Sequence, residues 1–201
     1  MHLHLMRHAE DRSRPAPPDG DRRSLTRTGL RQAAATARWL AAREITEIRT
    51  SSLLRARQTA AVVAGETGLA LREDPRLDEV RTGPGGASLP PPRERRDAAH
   101  PPDTESWPAF LGRVRDCVDD LCRNPAPGRR IVLVTHSGFF DALHELIGGR
   151  GNRMELQVDH AAVTHWQYRP GCAAGTWLLH CHNLTPCPAG TVPGHQLGGA
   201  A

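Results

Sequence analysis

The chain has 201 residues, 38% of them hydrophobic and 24% charged, the profile of a soluble globular protein long enough to bury a core. Its 26 basic residues, all arginine, outnumber 22 acidic ones for a net charge of +4, which suits an anionic substrate but forms no basic stripe of the kind nucleic-acid binders show. No apolar run has the length of a membrane helix, no secretory leader precedes the first strand, and five cysteines is an odd count that favours reduced thiols, so the expectation is a cytoplasmic protein.

His2 to Arg7 reads as the first strand, ending in Arg7-His8 within Leu5-Met6-Arg7-His8-Ala9-Glu10. An imidazole can act as a nucleophile, and an adjacent guanidinium can hold an anion for it. Asp11 to Arg23 is rich in Pro, Asp and Arg and reads as a loop over His8. A helix follows Ser24-Leu25-Thr26-Arg27-Thr28-Gly29, with Thr26 or Thr28 as its N-cap and Leu30, Ala33, Ala34, Ala37, Leu40 and Ala41 as its apolar stripe.

Ile45 to Thr50 is a short strand. Ser51 or Ser52 is placed to cap a helix over Leu53 to Thr67, which Gly68 stops. Arg55 falls in the first turn of that helix. Arg57, two residues on, points away from it. Leu69 to Glu73 is a candidate third strand, and Leu77-Asp78-Glu79-Val80-Arg81 opens a long irregular segment rich in Pro, Gly and Arg. No second domain follows that segment, so it reads as a lid over a site rather than a linker.

Trp107 to Arg123 is a helix with Phe110, Val114, Val118 and Leu121 at helical spacing, broken at Asn124 to Gly128. Ile131 to Thr135 is the clearest strand, apolar on both faces as a central parallel strand should be. His136-Ser137-Gly138 follows it, then a helix from Phe139 to Ile147. Ala162 to Tyr168 and Thr176 to His182 form a terminal strand pair. The pattern predicts a three-layer α/β/α sandwich around a mainly parallel central sheet, as one domain over 1–184 with a lid at 83–107 and a flexible tail at 185–201. Ligands of such sheets bind beyond the carboxyl ends of the strands, where Arg7-His8 and His136 both fall.

Six segments, in the expected chain order, resemble the histidine phosphatase superfamily, the phosphoglycerate mutase-like family, over roughly residues 1 to 170. LMRHAE is similar to its Leu-x-Arg-His-Gly-Glu motif, with Ala9 for the glycine. SLTRTGLRQA resembles its Leu-Thr-x-x-Gly-x-x-Gln-Ala helix start, and TSSLLRARQTA its Thr-Ser-x-Leu-x-Arg-Ala-x-x-Thr-Ala segment. LDEVRTG resembles its acidic loop, VTHSGFFDAL its second-histidine strand, and DTESW with Arg113 its Gly-Glu-Ser and following helix. The Trp-Asn pair of mutases is absent, with Ser13 and Arg14 in its place.

The resemblance implies a phosphatase acting on a small phosphorylated metabolite without cofactor or metal. It makes His8 the residue that becomes phosphohistidine and has Arg7, Arg55 and His136 hold the phosphoryl oxygens. Glu79 would be the acid and base, its pKa raised by Asp78 or by burial. Such chemistry asks mainly for positioning and positive charge. Ser137 is either turn chemistry or a phosphate contact. Arg14 and Arg81 are candidate substrate contacts, although Arg12, Arg14, Arg22, Arg23 and Arg81 each read singly as solvated. Two alternatives are a phosphoglycerate-type mutase and a pocket that only binds an anion or does other chemistry on it. No nucleic-acid or membrane partner is expected, and a homodimer is left open. His2 and His4 read as ordinary strand residues, and Cys117 and Cys122 as ordinary helix positions. His180-Cys181-His182 with Cys187 has the letters of a zinc site, but on a regular strand His180 and His182 share a face and Cys181 points away.

Overall fold

The computed structural model describes residues 1–12, 23–81, 103–123, 125–149, 156–171 and 175–186. Its elements are β1 (His2–Arg7), α1 (Arg27–Ala41), β2 (Glu47–Thr50), α2 (Leu54–Thr67), β3 (Leu71–Glu73), α3 (Trp107–Arg123), β4 (Arg130–Thr135), α4 (Ser137–Gly148), β5 (Val163–Arg169) and β6 (Thr176–Leu184). The six strands form one mixed sheet in the order β3-β2-β4-β1-β5-β6. The first four in that order are parallel, and β5 and β6 close the far edge antiparallel. The expected α/β sandwich is therefore present.

Alternation along the central strands splits the core in two. Leu3, Leu5, Ile131 and Leu133 face one side with Phe110, Val114, Leu121, Phe139 and Leu143 from α3 and α4. Met6, Val132, Val134 and Ile48 face the other with Ala33, Ala37, Leu40, Ala56, Ala60 and Val63 from α1 and α2. Among the described residues, no helix is long and apolar enough to cross a membrane. Most of the expected lid at 83–107 and of the tail at 185–201 lies outside the described residues.

Three local expectations are corrected. In α1 the buried face is Gly29, Ala33, Thr36, Ala37 and Leu40, with Ala35 beside it, while Leu30 is 49% exposed. Ala34 is only half-buried and Ala41 is exposed. Gly29 takes the seat one turn before Ala33, and Leu30 is rotated about 100° away from it. Ser51 and Ser52 do not cap α2, whose N-cap is Leu53 without a side-chain hydrogen bond. Both hydroxyls are taken by Asp78 instead. Helix α4 starts at Ser137 with His136 at its N-cap, so His136-Ser137-Gly138 is the helix entry rather than a separate turn. The expected Thr26 N-cap does form, accepting from Gly29 N at 2.9 Å.

The terminal pair β5–β6 departs from regular pairing. Register shifts flank His165, and Asn183 is left-handed at φ 53°. The shifts send His180 and His182 to opposite faces, which overturns their expected common face. The His180 ring stacks on His165, and the His182 ring bonds Thr164 and the carbonyl of Gln157.

Burial gives this sheet face a pH-dependent stability. His4 is buried under Trp39 and stacks on His165 at 4.2 Å, and its Nδ1 has no partner among the described residues. Desolvation pushes His4 down to about 3, and desolvation with the neighbouring His180 and His2 pushes His165 to about 4. The unfolded chain, at 6.5, takes up protons that the folded chain refuses. The contribution is thus whole above pH 6.5 and is lost as pH falls toward 4 and then 3. Urea midpoints should fall across that window, and His4→Leu should flatten the decline; an unchanged slope in the variant would place the acid sensitivity elsewhere.

Candidate active site

Parallel pairing of β1 with β4 sets Arg7 opposite Thr135, and His8 N donates to Thr135 O at 2.8 Å. The residues just beyond the two strand ends, His8 and His136, therefore meet with ring centroids 5.0 Å apart. His8 Nδ1 lies 2.9 Å from Ala9 O. A carbonyl only accepts, so Nδ1 carries the hydrogen and Nε2 keeps its lone pair. Desolvation first, then the charges of Arg55 and Arg7, hold His8 well below its ordinary pKa, so the ring is neutral.

His136 Nε2 lies 2.8 Å from Ser51 Oγ, and Ser51 gives its own hydrogen to Asp78 Oδ1 at 2.7 Å. His136 must then donate from Nε2. Its Nδ1 is buried with no hydrogen-bond partner among the described residues. Asp78 is fixed further by Ser52 N and Ser52 Oγ, each at 2.7 Å. Burial, then His8 and Arg55, lowers the pKa of His136 well below the ordinary value.

Two guanidinium groups flank this pair. Arg7 Nη1 donates to Val158 O at 2.5 Å, and Arg7 Nε is buried without a partner among the described residues. Arg55 enters from the first turn of α2 with its side chain 3% exposed and its Nε 3.5 Å from Asp11 Oδ2. Arg57 goes the other way, 51% exposed and paired with Glu73. Arg23 is not free surface as expected but is half-buried, 3.7 Å from Asp11.

Glu79 completes the arrangement. Its Oε1 accepts from Val80 N at 3.1 Å, and its Oε2 lies 3.4 Å from Ser137 Oγ and Gly138 N. The carboxylate packs on Gly138 so closely that a Cβ there would stand 2.3 Å from Oε1, which is why the segment reads Ser-Gly. Burial raises the Glu79 pKa against the opposing pull of those amides and of Arg55 and Arg7. Of the two expected causes burial is the one found, since Asp78 turns onto Ser51 and Ser52. Arg113 holds the turn in place by donating to Arg76 O and Asp78 O at 2.9 Å, and it is itself paired with Glu105 at 2.6 Å. Thr135 Oγ1 adds a bond to Leu77 O at 2.7 Å.

The remaining signature residues clamp the loop after His8. Glu10 O accepts from Thr26 N, Glu10 Oε1 from Thr26 Oγ1 at 2.6 Å, and Gln32 Oε1 from Glu10 N at 3.0 Å. Thr59 Oγ1 accepts from Ala9 N at 3.0 Å, and Gln58 Oε1 from Leu25 N at 2.8 Å. Ala9 itself is fully buried.

His8, His136, Arg7, Arg55, Glu79 and Ser137 are thus brought together. Arg81 is exposed and meets Glu105 through its backbone, outside this group, and Arg14 lies outside the described residues. Sequence reasoning missed His160, whose ring is 5.5 Å from that of His8, and also Asp11 and Ser51. The signal for His160 lay in the antiparallel return: Val163 pairs with Met6, so the residues just before β5 sit where β1 ends.

The family model of the histidine phosphatase superfamily (branch 1) matches residues 3–180. "Probable phosphoglycerate mutase GpmB" of Yersinia enterocolitica is 29% identical over 198 residues, covering 89% of this chain and 91% of that protein. The solved structure of mycobacterial glucosyl-3-phosphoglycerate phosphatase with VO3 superimposes with a TM-score of 0.74 at 26% identity, over 90% of this chain and 98% of that one. Mycobacterial hydrolase 2 gives 0.77 at 26% identity, over 94% and 93%.

The clamp on Glu10 predicts an inverted response to a helix-favouring substitution. Gly29→Ala in an exposed helix should stabilise by roughly 0.5–1 kcal/mol. Here the new Cβ would stand 2.1 Å from Glu10 O, a backbone atom. The expected result is a loss of about 1–3 kcal/mol in urea unfolding, with weaker phosphate binding as the loop beside His8 shifts. A more stable variant would show that the loop yields freely.

Proposed function

The chain belongs to branch 1 of the histidine phosphatase superfamily, and from that premise we propose that it is a phosphatase that hydrolyses a small phosphorylated metabolite through phosphohistidine at His8. The observation that carries the reading is the fixed tautomer of His8: a neutral ring, Nδ1–H tied to Ala9 O and the lone pair left on Nε2, beside Arg7, Arg55 and His136. Arg7, Arg55 and His136, the last once its Nδ1 has taken up a proton, hold the three equatorial oxygens, and the amides that open α4 add positive potential. His8 Nε2 forms the N–P bond as the P–O bond to the leaving group breaks. Glu79, whose pKa burial raises, acts as the acid and gives a proton to the departing oxygen. The resulting carboxylate then takes a proton from water as that water attacks phosphorus. The N–P bond breaks, its electron pair returns to Nε2, and inorganic phosphate leaves.

Asp78 and Ser51 position His136 in this scheme, and Arg113 positions Glu79. The charge is supplied by side chains and helix ends, so the reaction needs no metal. A lid over 83–107 selecting a metabolite belongs to the same proposal. A mutase is the second reading, favoured by the name of the Yersinia relative.

One assay separates the two. With 3-phosphoglycerate, with and without 2,3-bisphosphoglycerate, and with a panel of phosphorylated metabolites, free phosphate should appear with little isomerisation. His8→Ala should abolish release while circular dichroism stays native. Wild-type enzyme quenched during turnover should carry acid-labile, base-stable label. Efficient isomerisation with little phosphate would overturn the hydrolase reading, and a fully active His8→Ala would remove the nucleophile.

Glu79→Gln should slow alkyl phosphates by roughly a hundred- to ten-thousand-fold. An aryl phosphate, whose leaving group needs little protonation, should lose far less. Equal losses on both substrates would make Glu79 a binding residue.

A further inference from the structure

Away from His8, three imidazoles from three neighbouring strands converge on the α1 side of the sheet. His2 comes from β1, His165 from β5 and His180 from β6, and one ring nitrogen of each lies within 4.8 Å of the others. His2 Nδ1 and His165 Nε2 are 2.9 Å apart. The His165 and His180 rings stack at 4.6 Å, and His2 lies 5.2 Å from His165 and 6.1 Å from His180 by centroids. Buried His4 stacks beneath His165 at 4.2 Å and fixes the plane of its ring.

We propose that His2, His165 and His180 form a zinc-class transition-metal site that fastens the β5–β6 edge to β1. Two nitrogens on one tetrahedral zinc, each about 2.0–2.1 Å from it, stand about 3.3 Å apart. The His2–His165 pair is within a few tenths of an ångström of that separation. His180 is the exposed member, so it can turn inward by giving up its 3.1 Å contact with Gln167 Oε1. The pairing of Trp166 with Leu179 carries His180 alongside His165, and the register shifts beyond it turn His182 to the other face.

The donor set decides the ion. Three imidazoles without a carboxylate suit zinc, nickel or copper and not magnesium or calcium. Metal binding requires the neutral ring. Desolvation lowers the pKa of both His2 and His165, with further lowering of His2 by Arg130 and Arg169 and of His165 by His180. Those same arginines oppose a dication, so the fit is to an ion with strong imidazole affinity. A fourth position remains for water or an anion. Six residues of extended β1 separate His2 from His8, about 20 Å at ~3.3 Å per residue, so this is not the phosphoryl pocket.

The test uses the full untagged chain stripped with EDTA and titrated near neutral pH with Zn2+ in equilibrium dialysis and with Co2+ in the visible spectrum. One ion per chain, an intense cobalt spectrum of a tetrahedral site and a higher melting temperature are expected. His180→Gln changes an exposed side chain and should keep the fold. It should weaken zinc by more than the roughly 10–100-fold that loss of an outer-sphere partner causes. His182→Gln, on the other face, should bind as wild type. Hydrolysis of an aryl phosphate should be the same in wild type, EDTA-treated wild type and His180→Gln. No stoichiometric binding, or zinc held equally by wild type and His180→Gln, overturns the site.

Discussion

A parallel register in which Arg7 lies opposite Thr135 places the first residues beyond two central strands, His8 and His136, side by side. That register is set by the core. Leu3, Leu5, Ile131 and Leu133 must meet α3 and α4, while Met6, Val132 and Val134 must meet α1 and α2. A slip of one residue would exchange the two sets and bring the strand ends out of step. The buried cations depend on the same frame. Arg55 is reached by Asp11, Arg7 by the carbonyl of Val158, and each of these partners sits on a loop whose start or end the sheet fixes.

Removal from water works on the three titrating groups in a coordinated way. It disfavours whichever form is charged, so it keeps His8 and His136 neutral and raises the pKa of Glu79. One environment thus prepares a nucleophile with a free lone pair and a carboxyl group able to donate. The two arginines and the amides of Val80 and Gly138 all act against the neutral carboxyl group, and removal from water outweighs them.

Much of this was legible in the sequence where the cause is local. The strands β1 and β4 and the helices α2 and α3 follow from apolar runs and helical spacing, and Gly68 ends α2 in the left-handed conformation as expected. His8, Arg55, Glu79 and His136 were readable because each sits in a motif whose other residues hold it. Gln32, Gln58 and Thr59 bind backbone around His8 and say nothing by their own periodicity. What was not legible depends on contacts across the chain. Ser51 and Ser52 look like helix caps until Asp78 arrives from a distant turn. Leu30 looks buried until Gly29 takes the inward seat. His180 and His182 look like neighbours on one face until a bulge turns one of them over, and His160 is placed by the topology of β5 alone.

The bond between Ser51 and Asp78 has a consequence for how charge enters the pocket. A serine has one hydrogen, and here Asp78 holds it, so His136 must spend its own Nε2 hydrogen on Ser51. A neutral His136 then offers a bare lone pair at Nδ1, which repels a phosphoryl oxygen. That oxygen can be held at Nδ1 only by an N–H, so occupancy implies an imidazolium there. The visitor must arrive as a monoanion that surrenders its hydrogen, or the ring must draw one from solvent. In the proposed reaction ligation and protonation are then a single thermodynamic event, and the pocket's hold on free phosphate weakens with alkalinity through His136.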